Sequence, residues 1–170
     1  RRLCPRGVLC RPHYGDYRRL SLEMFRLLRR FTPMLVPISI DEAFMDMDQM
    51  DRVFQCRSLL ELAGRIKKKV RDEIGLPVTM GIGCSKLCAK LVTDHSKPDG
   101  LREIPPEKEA EFLAPHLVEK LSGIGRRRVR ALQALGIETF ADVVHAPLKQ
   151  LEKRLGWIGT QLWLLAHGLY

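Results

Sequence analysis

Asp41 and Glu42 are adjacent carboxylates within Ser39-Ile40-Asp41-Glu42-Ala43-Phe44, flanked on both sides by apolar residues of strand type. Neighbouring side chains on a strand point to opposite faces, so two adjacent acids converge on one ion only where the backbone bends between them. A hairpin end at this pair supplies the bend. Magnesium takes one or two carboxylates plus substrate phosphates, and two such ions stabilise the attacking and leaving oxygens of a phosphoryl transfer. Taken alone, the pair fits a solvated acidic turn equally well.

A lysine precedes a tight turn in Ser96-Lys97-Pro98-Asp99-Gly100. Its ammonium is a compact charge suited to a polyphosphate, although an incidental surface lysine reads the same. A third signal is Leu121-Ser122-Gly123-Ile124-Gly125, followed by Arg126, Arg127, Arg128 and Arg130 and then by Gly136-Ile137. It is similar to a helix-hairpin-helix element. Gly123 and Gly125, on either side of Ile124, allow a tight turn and close backbone approach, so that amides opening the next helix meet a phosphate oxygen. Such a contact reads backbone and not bases, which predicts sequence-independent duplex binding that weakens with salt. A plain helix turn is the alternative.

Charge is distributed to match. The net charge of +9 favours a polyanionic partner. Residues 1 to 35 hold nine Lys/Arg against two Asp/Glu, residues 36 to 105 hold eleven of each, and residues 106 to 170 hold nine against seven. A neutral, acid-rich middle between basic flanks suits metal ions held beside a phosphate backbone. No apolar run approaches the ~20 residues of a membrane span and no signal-peptide pattern is present, so a cytoplasmic protein is expected. Of five cysteines, Cys84 and Cys88 form the only close pair. Reduced thiols are favoured over zinc ligands.

The elements that must position these residues follow from periodicity. Residues 1 to 13 read as an extended lead-in with a short strand near Val8 to Cys10. Tyr17, Leu20, Met24, Leu27 and Phe31 recur at helical steps, predicting an amphipathic helix from Tyr14 that ends before Pro33. Val36 to Asp48 reads as two short strands. Leu59, Ala63, Ile66, Val70 and Ile74 mark a second helix with Lys67, Lys68 and Arg71 on its outer face and Gly75 as its cap. Pro77 to Gly83 gives a strand, and Ser85 caps a third helix reaching about His95. The unit is α+β, a short antiparallel or mixed sheet covered by helices. Pro105-Pro106 marks a boundary, dividing residues 1-105 from an all-α part, 106-170, with short helices near 107–114, 117–121, 126–135, 139–145, 148–155 and 159–167.

In this order, the three motifs resemble the Y-family of translesion DNA polymerases, most closely its bacterial DNA polymerase IV branch. Ser39 to Asp48 is similar to the family's second acidic motif, which implies that Asp41 and Glu42 hold magnesium and are catalytic. Gly75 to Gly100 resembles the palm strand and following helix, which implies that Lys97 contacts the incoming deoxynucleoside triphosphate. Gly123, Ile124, Gly125, Arg126 and Arg128 then correspond to the thumb's grip on primer-template DNA. The resemblance implies a partial palm, a helical thumb and two magnesium ions in the intact enzyme, acting as a monomer in damage tolerance. It lacks the family's opening strand with the first metal-binding aspartate, and it stops at Ala166-His167-Gly168. The chain also begins with Arg1, not Met. These departures imply a fragment inactive alone, with a sliding clamp reached only through other segments. A non-catalytic DNA-binding adaptor of a repair complex is the rival reading.

Overall fold

A computed structural model describes residues 3–169 of the chain. The first two residues of the expected lead-in lie outside the described residues. Its remainder is exposed and forms no strand: Val8 and Leu9 are 85% and 99% exposed. The strand expected at Val8 to Cys10 is therefore corrected. Among the described residues nothing pairs with it, and an isolated strand leaves its backbone groups to water.

Helix α1, Tyr14–Leu28, buries Met24 and Leu27 of the face the sequence spacing marked together with Phe25, while Tyr17 of that face is exposed. It packs against α3, Leu59–Ile74. Ser58 opens α3 by accepting from the Glu61 amide at 3.2 Å, and the Glu61 carboxylate returns to the Arg57 amide at 2.9 Å. Gly75 closes it at φ 80°, a left-handed conformation that favours glycine. Leu62, Ile66 and Val70 on α3 are at most 1% exposed. Each such burial contributes roughly 1.5–3 kcal/mol. A short helix that periodicity missed, α2 at Met50–Val53, packs on α3, and Phe54 just after it lies 5.3 Å from Phe31 between ring centroids.

The α+β reading holds, but the single sheet is corrected to two separate pairs. Strand β1, Leu35–Pro37, pairs antiparallel with β2, Ala43–Met45, with Val36 opposite Phe44. Strand β3, Met80–Ile82, pairs in parallel with β4, Leu101–Glu103, with Gly81 opposite Arg102. Parallel strands need a crossover, and α4, Lys86–His95, supplies it. At Gly81 a Cβ would come within 2.5 Å of the Ala89 carbonyl oxygen and the Thr93 amide, so glycine lets α4 lie directly on β3. Strand β4 lacks β-branched residues and its three residues went unrecognised as a strand.

Helices α5 (Pro106–Leu113), α6 (Arg126–Gln133), α7 (Phe140–Val144), α8 (Leu148–Leu155) and α9 (Trp157–Ala166) follow, with a 3₁₀ turn at Val118–Lys120. Their buried residues Leu113, Leu132, Phe140, Leu151 and Leu162 form one apolar core. That core continues without a break into Leu87, Cys88, Leu91 and Val92 of α4. Helix α4 thus faces two ways: its apolar side joins the later helices, and its polar side looks towards the β1–β2 hairpin.

Candidate functional site

The hairpin bend at the acidic pair is built by Ser39. The Ile38 and Ser39 amides donate to the Glu42 carbonyl at 2.9 and 3.3 Å, closing the β1–β2 connection. The Ser39 hydroxyl then donates to Asp41 Oδ1 at 2.6 Å and accepts from the Asp41 and Glu42 amides at 3.3 and 3.1 Å. One hydroxyl fills its donor and both acceptor positions. The result is an exposed Asp41 beside a half-buried Glu42.

Glu42 looks across to α4. Its Oε1 lies 2.5 Å from Lys90 Nζ and 4.0 Å from Lys97 Nζ. The two lysines also share one oxygen, Asp94 Oδ1, at 3.5 and 2.9 Å. Glu42, Lys90, Asp94 and Lys97 therefore form a cycle of alternating charge. The hydrogen bond to Glu42 holds the Lys90 ammonium above its ordinary range, against the opposing effect of partial burial and with help from Asp94. For Asp94 partial burial is the largest single effect and raises the carboxyl, but hydrogen bonding and attraction from Lys97 and Lys90 together outweigh it and lower it.

The turn that carries Lys97 is fastened to α3. Asp99, at φ 51°, accepts from Lys67 Nζ at 2.9 Å and from Arg71, and Lys67 also donates to the Asp99 carbonyl at 3.2 Å and to the Val78 carbonyl. The Lys67 hydrogen bond, then that of Arg71, holds the Asp99 carboxyl below the usual carboxylate range. Lys67 is thus a correction to the expected outer face of α3: only 15% of its side chain is exposed, because it reaches over to bind the turn. At Gly100 a Cβ would fall 2.0 Å from the Ser96 carbonyl oxygen, so the chain can fold back there only with glycine.

At the other end of α4 stands Glu109 of α5, fully buried. It accepts from the Cys84 amide at 2.7 Å, the Ser85 amide at 3.0 Å and the Ser85 hydroxyl. A carboxylate on the amides that open a helix is favoured by both hydrogen bonding and the helix dipole. Burial first, and the Glu109 charge second, push the Cys84 and Cys88 thiols up, away from thiolate chemistry. All five cysteines are free.

In the helical part, Gly123 adopts φ 93° and Ile124 is buried beneath the turn. Gly125 caps α6 with no side-chain bond, so the Arg126 and Arg127 amides have no acceptor within the helix and face outward to any anion. Arg126, Arg127, Arg128 and Arg130 are all exposed. Arg128 alone among these four donates its guanidinium back to the Gly123 carbonyl, at 2.7 Å, bracing the turn.

The structure thus brings Glu42 and Lys97 together, puts Asp41 at the mouth of the same hairpin, and gathers Gly123 to Arg128 into one separate turn. Sequence reasoning missed Lys90, Asp94 and Glu109. For the first two a signal existed, since Lys90, Asp94 and Lys97 stand at steps of four and three, the spacing of one helical face. For Glu109 none did, because its partners lie 24 and 25 residues away. Asp41 and Glu42 are hard oxygen donors of the kind magnesium takes, and one oxygen of each stays outside the contacts described. No group of three or more His, Cys, Asp or Glu converges among the described residues, so the ligand set described here is a pair, which still fits an ion that completes its shell with phosphate and water.

Comparison with known proteins places the chain in a family. The model of the impB/mucB/samB family (IMS) matches residues 1–94. DNA polymerase IV of Alkalilimnicola ehrlichii is 34% identical over 98% of this chain and 46% of its own length, and that of Moorella thermoacetica is 38% identical over 99% and 42%. Among solved structures, the insertion ternary complex of Dbh DNA polymerase superposes with a TM-score of 0.82 at 28% identity, covering 99% of this chain and 49% of that one. DinB from Sulfolobus solfataricus gives 0.77 at 28% identity, over 98% and 49%. The chain spans about half the length of the curated relatives it matches.

Proposed function

This chain belongs to the impB/mucB/samB family and is a Y-family DNA polymerase IV homologue, and on that premise we propose that it forms part of the palm, residues 1-105, and the thumb, 106-170, of an error-tolerant DNA polymerase. The whole protein would extend a primer by template-directed transfer of a nucleotide from a deoxynucleoside triphosphate, in the cytoplasm, during damage tolerance. The observation that carries this reading is the approach of Glu42 and Lys97 to 4.0 Å, from segments 55 residues apart in a chain of this family.

In this reading the primer 3′ hydroxyl attacks the α-phosphate and pyrophosphate leaves. Asp41 and Glu42 would hold magnesium, which when bound supplies charge neutralisation at the attacking and leaving oxygens. Lys97 binds the triphosphate, and the Asp99 anchor on α3 keeps that lysine from drifting, which matters because positioning accounts for much of such catalysis. The α6 amides and Arg126, with Arg128 bracing Gly123, grip the duplex backbone behind the reacting end. Ser39 holds the hairpin bend on which both acids stand.

The test is nucleotide and duplex binding measured on the same protein. Binding of dATP to the chain, followed calorimetrically, is expected to require magnesium and to fall about tenfold or more in Glu42→Gln, a loss of the size a charged contact makes, while affinity for duplex DNA stays unchanged. A non-catalytic adaptor gives the other result: duplex binding with no metal-dependent nucleotide binding.

A further inference from the structure

Of the two lysines that face Glu42, Lys90 makes the shorter contact. Its ammonium lies 2.5 Å from Glu42 Oε1, where Lys97 lies 4.0 Å away. Glu42 and Lys90 are 48 residues apart, on the β1–β2 hairpin and α4, so this is a tertiary contact and not an incident of helix spacing. Lys86, one turn earlier on α4, stands 5.8 Å from the Phe44 ring centroid, so the same helix face meets the hairpin at a second point. Among the described groups facing Glu42, Lys90 is the one in hydrogen-bond contact with the carboxylate, with Lys97 standing farther off.

A divalent cation and an ammonium compete for the same oxygen. Once a metal ion takes Glu42, Lys90 is left with Asp94, at 3.5 Å, and Asp94 is already held by Lys97 at 2.9 Å. An ammonium released there carries an uncompensated charge beside the lysine assigned to the triphosphate. We propose that Lys90 is the exchangeable counter-ion of this site, which holds the Glu42 carboxylate before metal binds and then joins Lys97 as a second cation for the nucleotide's phosphates.

This deepens the polymerase reading and rests on it. It differs from a purely structural role for Lys90 because it demands effects of opposite sign. Removing the ammonium relieves competition for bare metal but deprives a metal–nucleotide complex of a cation.

The experiment compares the chain with its Lys90→Met and Lys90→Arg variants, using Mn2+ alone, read by water-proton relaxation, and dATP at saturating Mn2+, read by calorimetry. Met keeps the aliphatic stem, and circular dichroism checks that each variant is folded. In Lys90→Met, Mn2+ is expected to bind about two- to fivefold more tightly, the range of a partly exposed ion pair, and dATP to bind more weakly by about the same factor or more. Lys90→Arg, which keeps the charge, returns both towards the parent values. Changes of the same sign in both affinities, or none in either, overturn the role of Lys90 while Glu42→Gln still abolishes Mn2+ binding. Mn2+ binding that is absent, or indifferent to Glu42→Gln, overturns the metal-site reading itself and Lys90 with it.

Discussion

Glu109 and Ser85 meet across the junction between α5 and α4: the buried carboxylate accepts from both the amide and the hydroxyl of Ser85, the amide at 3.0 Å. The same carboxylate takes the Cys84 amide, so the opening of the helix that carries Lys90 and Asp94 is held by a residue from the later, all-helical part of the chain. Replacing Glu109 with Ala removes the acceptor of two part-buried amides and a hydroxyl. The expected cost is about 2–4 kcal/mol in urea unfolding, and Glu109→Gln, which keeps one acceptor, should lose about half of that. A loss within ~0.5 kcal/mol for Ala would mean that water satisfies those amides and that the clamp is not there.

Gly100 tests whether the turn aims Lys97. Its missing Cβ leaves room for the Ser96 carbonyl oxygen, 2.0 Å from where that atom would sit. Gly100→Ala must therefore move the turn, at a cost of roughly 1–3 kcal/mol. Nucleotide affinity should fall with it, by about as much as in Lys97→Ala, while duplex affinity holds. Crystallography of the variant with Lys97 unmoved from Glu42 and nucleotide binding intact would contradict the assignment.

Asp99 sets a pH dependence. Its carboxyl titrates lower in the folded chain than in the unfolded one, because Lys67 and then Arg71 hydrogen bond to it. The unfolded chain therefore binds the proton more readily, and the stabilisation is fully present above the unfolded value of about 3.9. It is lost as pH falls through the lower folded value. The stability gap between the parent and Asp99→Asn should thus be constant above about pH 5 and shrink below about pH 4. A gap that persists unchanged to the most acid pH at which the fold survives would mean that the anchor does not depend on the carboxylate's charge.

The arginines of α6 divide by geometry. Arg126 and Arg127 are exposed at the open end of the helix, whereas Arg128 is turned back on the Gly123 carbonyl at 2.7 Å. Each of Arg126→Ala and Arg127→Ala should lower duplex affinity about equally across sequences and reduce the salt slope by about one. Arg128→Ala should weaken binding with a smaller change of slope, since what it removes first is a brace on the turn. Equal slope changes for all three, from fluorescence anisotropy over a salt series, would return Arg128 to direct phosphate contact.

Much of this was legible in the sequence where the signal is local. The Ser85 cap, the Gly75 stop, the hairpin between Leu35 and Met45 and the helices beyond Pro105 all follow from spacing and capping chemistry within a few residues. What lay hidden depended on partners far apart. Lys67 read as one more solvent-facing lysine until the turn at Asp99 came to lie against it, and nothing near Glu109 in the sequence marks the amides it accepts from, 24 and 25 residues away. Strand β4 is three residues long and owes its existence to β3 beside it. The division of one expected sheet into two pairs likewise depended on which strand meets which. In the site, Asp41, Glu42 and Lys97 were named from motifs, but the cycle that joins Glu42 to Lys97 needed Lys90 and Asp94, which are visible only once α4 is known to face the hairpin.

The most direct test is a double-mutant cycle between Glu42 and Lys97, read as metal-dependent dATP binding by calorimetry. Glu42→Gln and Lys97→Ala should each weaken binding about tenfold or more, and the double variant should lose less than the product of the two, because both residues act on one metal–triphosphate complex. Binding that needs no metal and survives both substitutions would contradict the account at its centre.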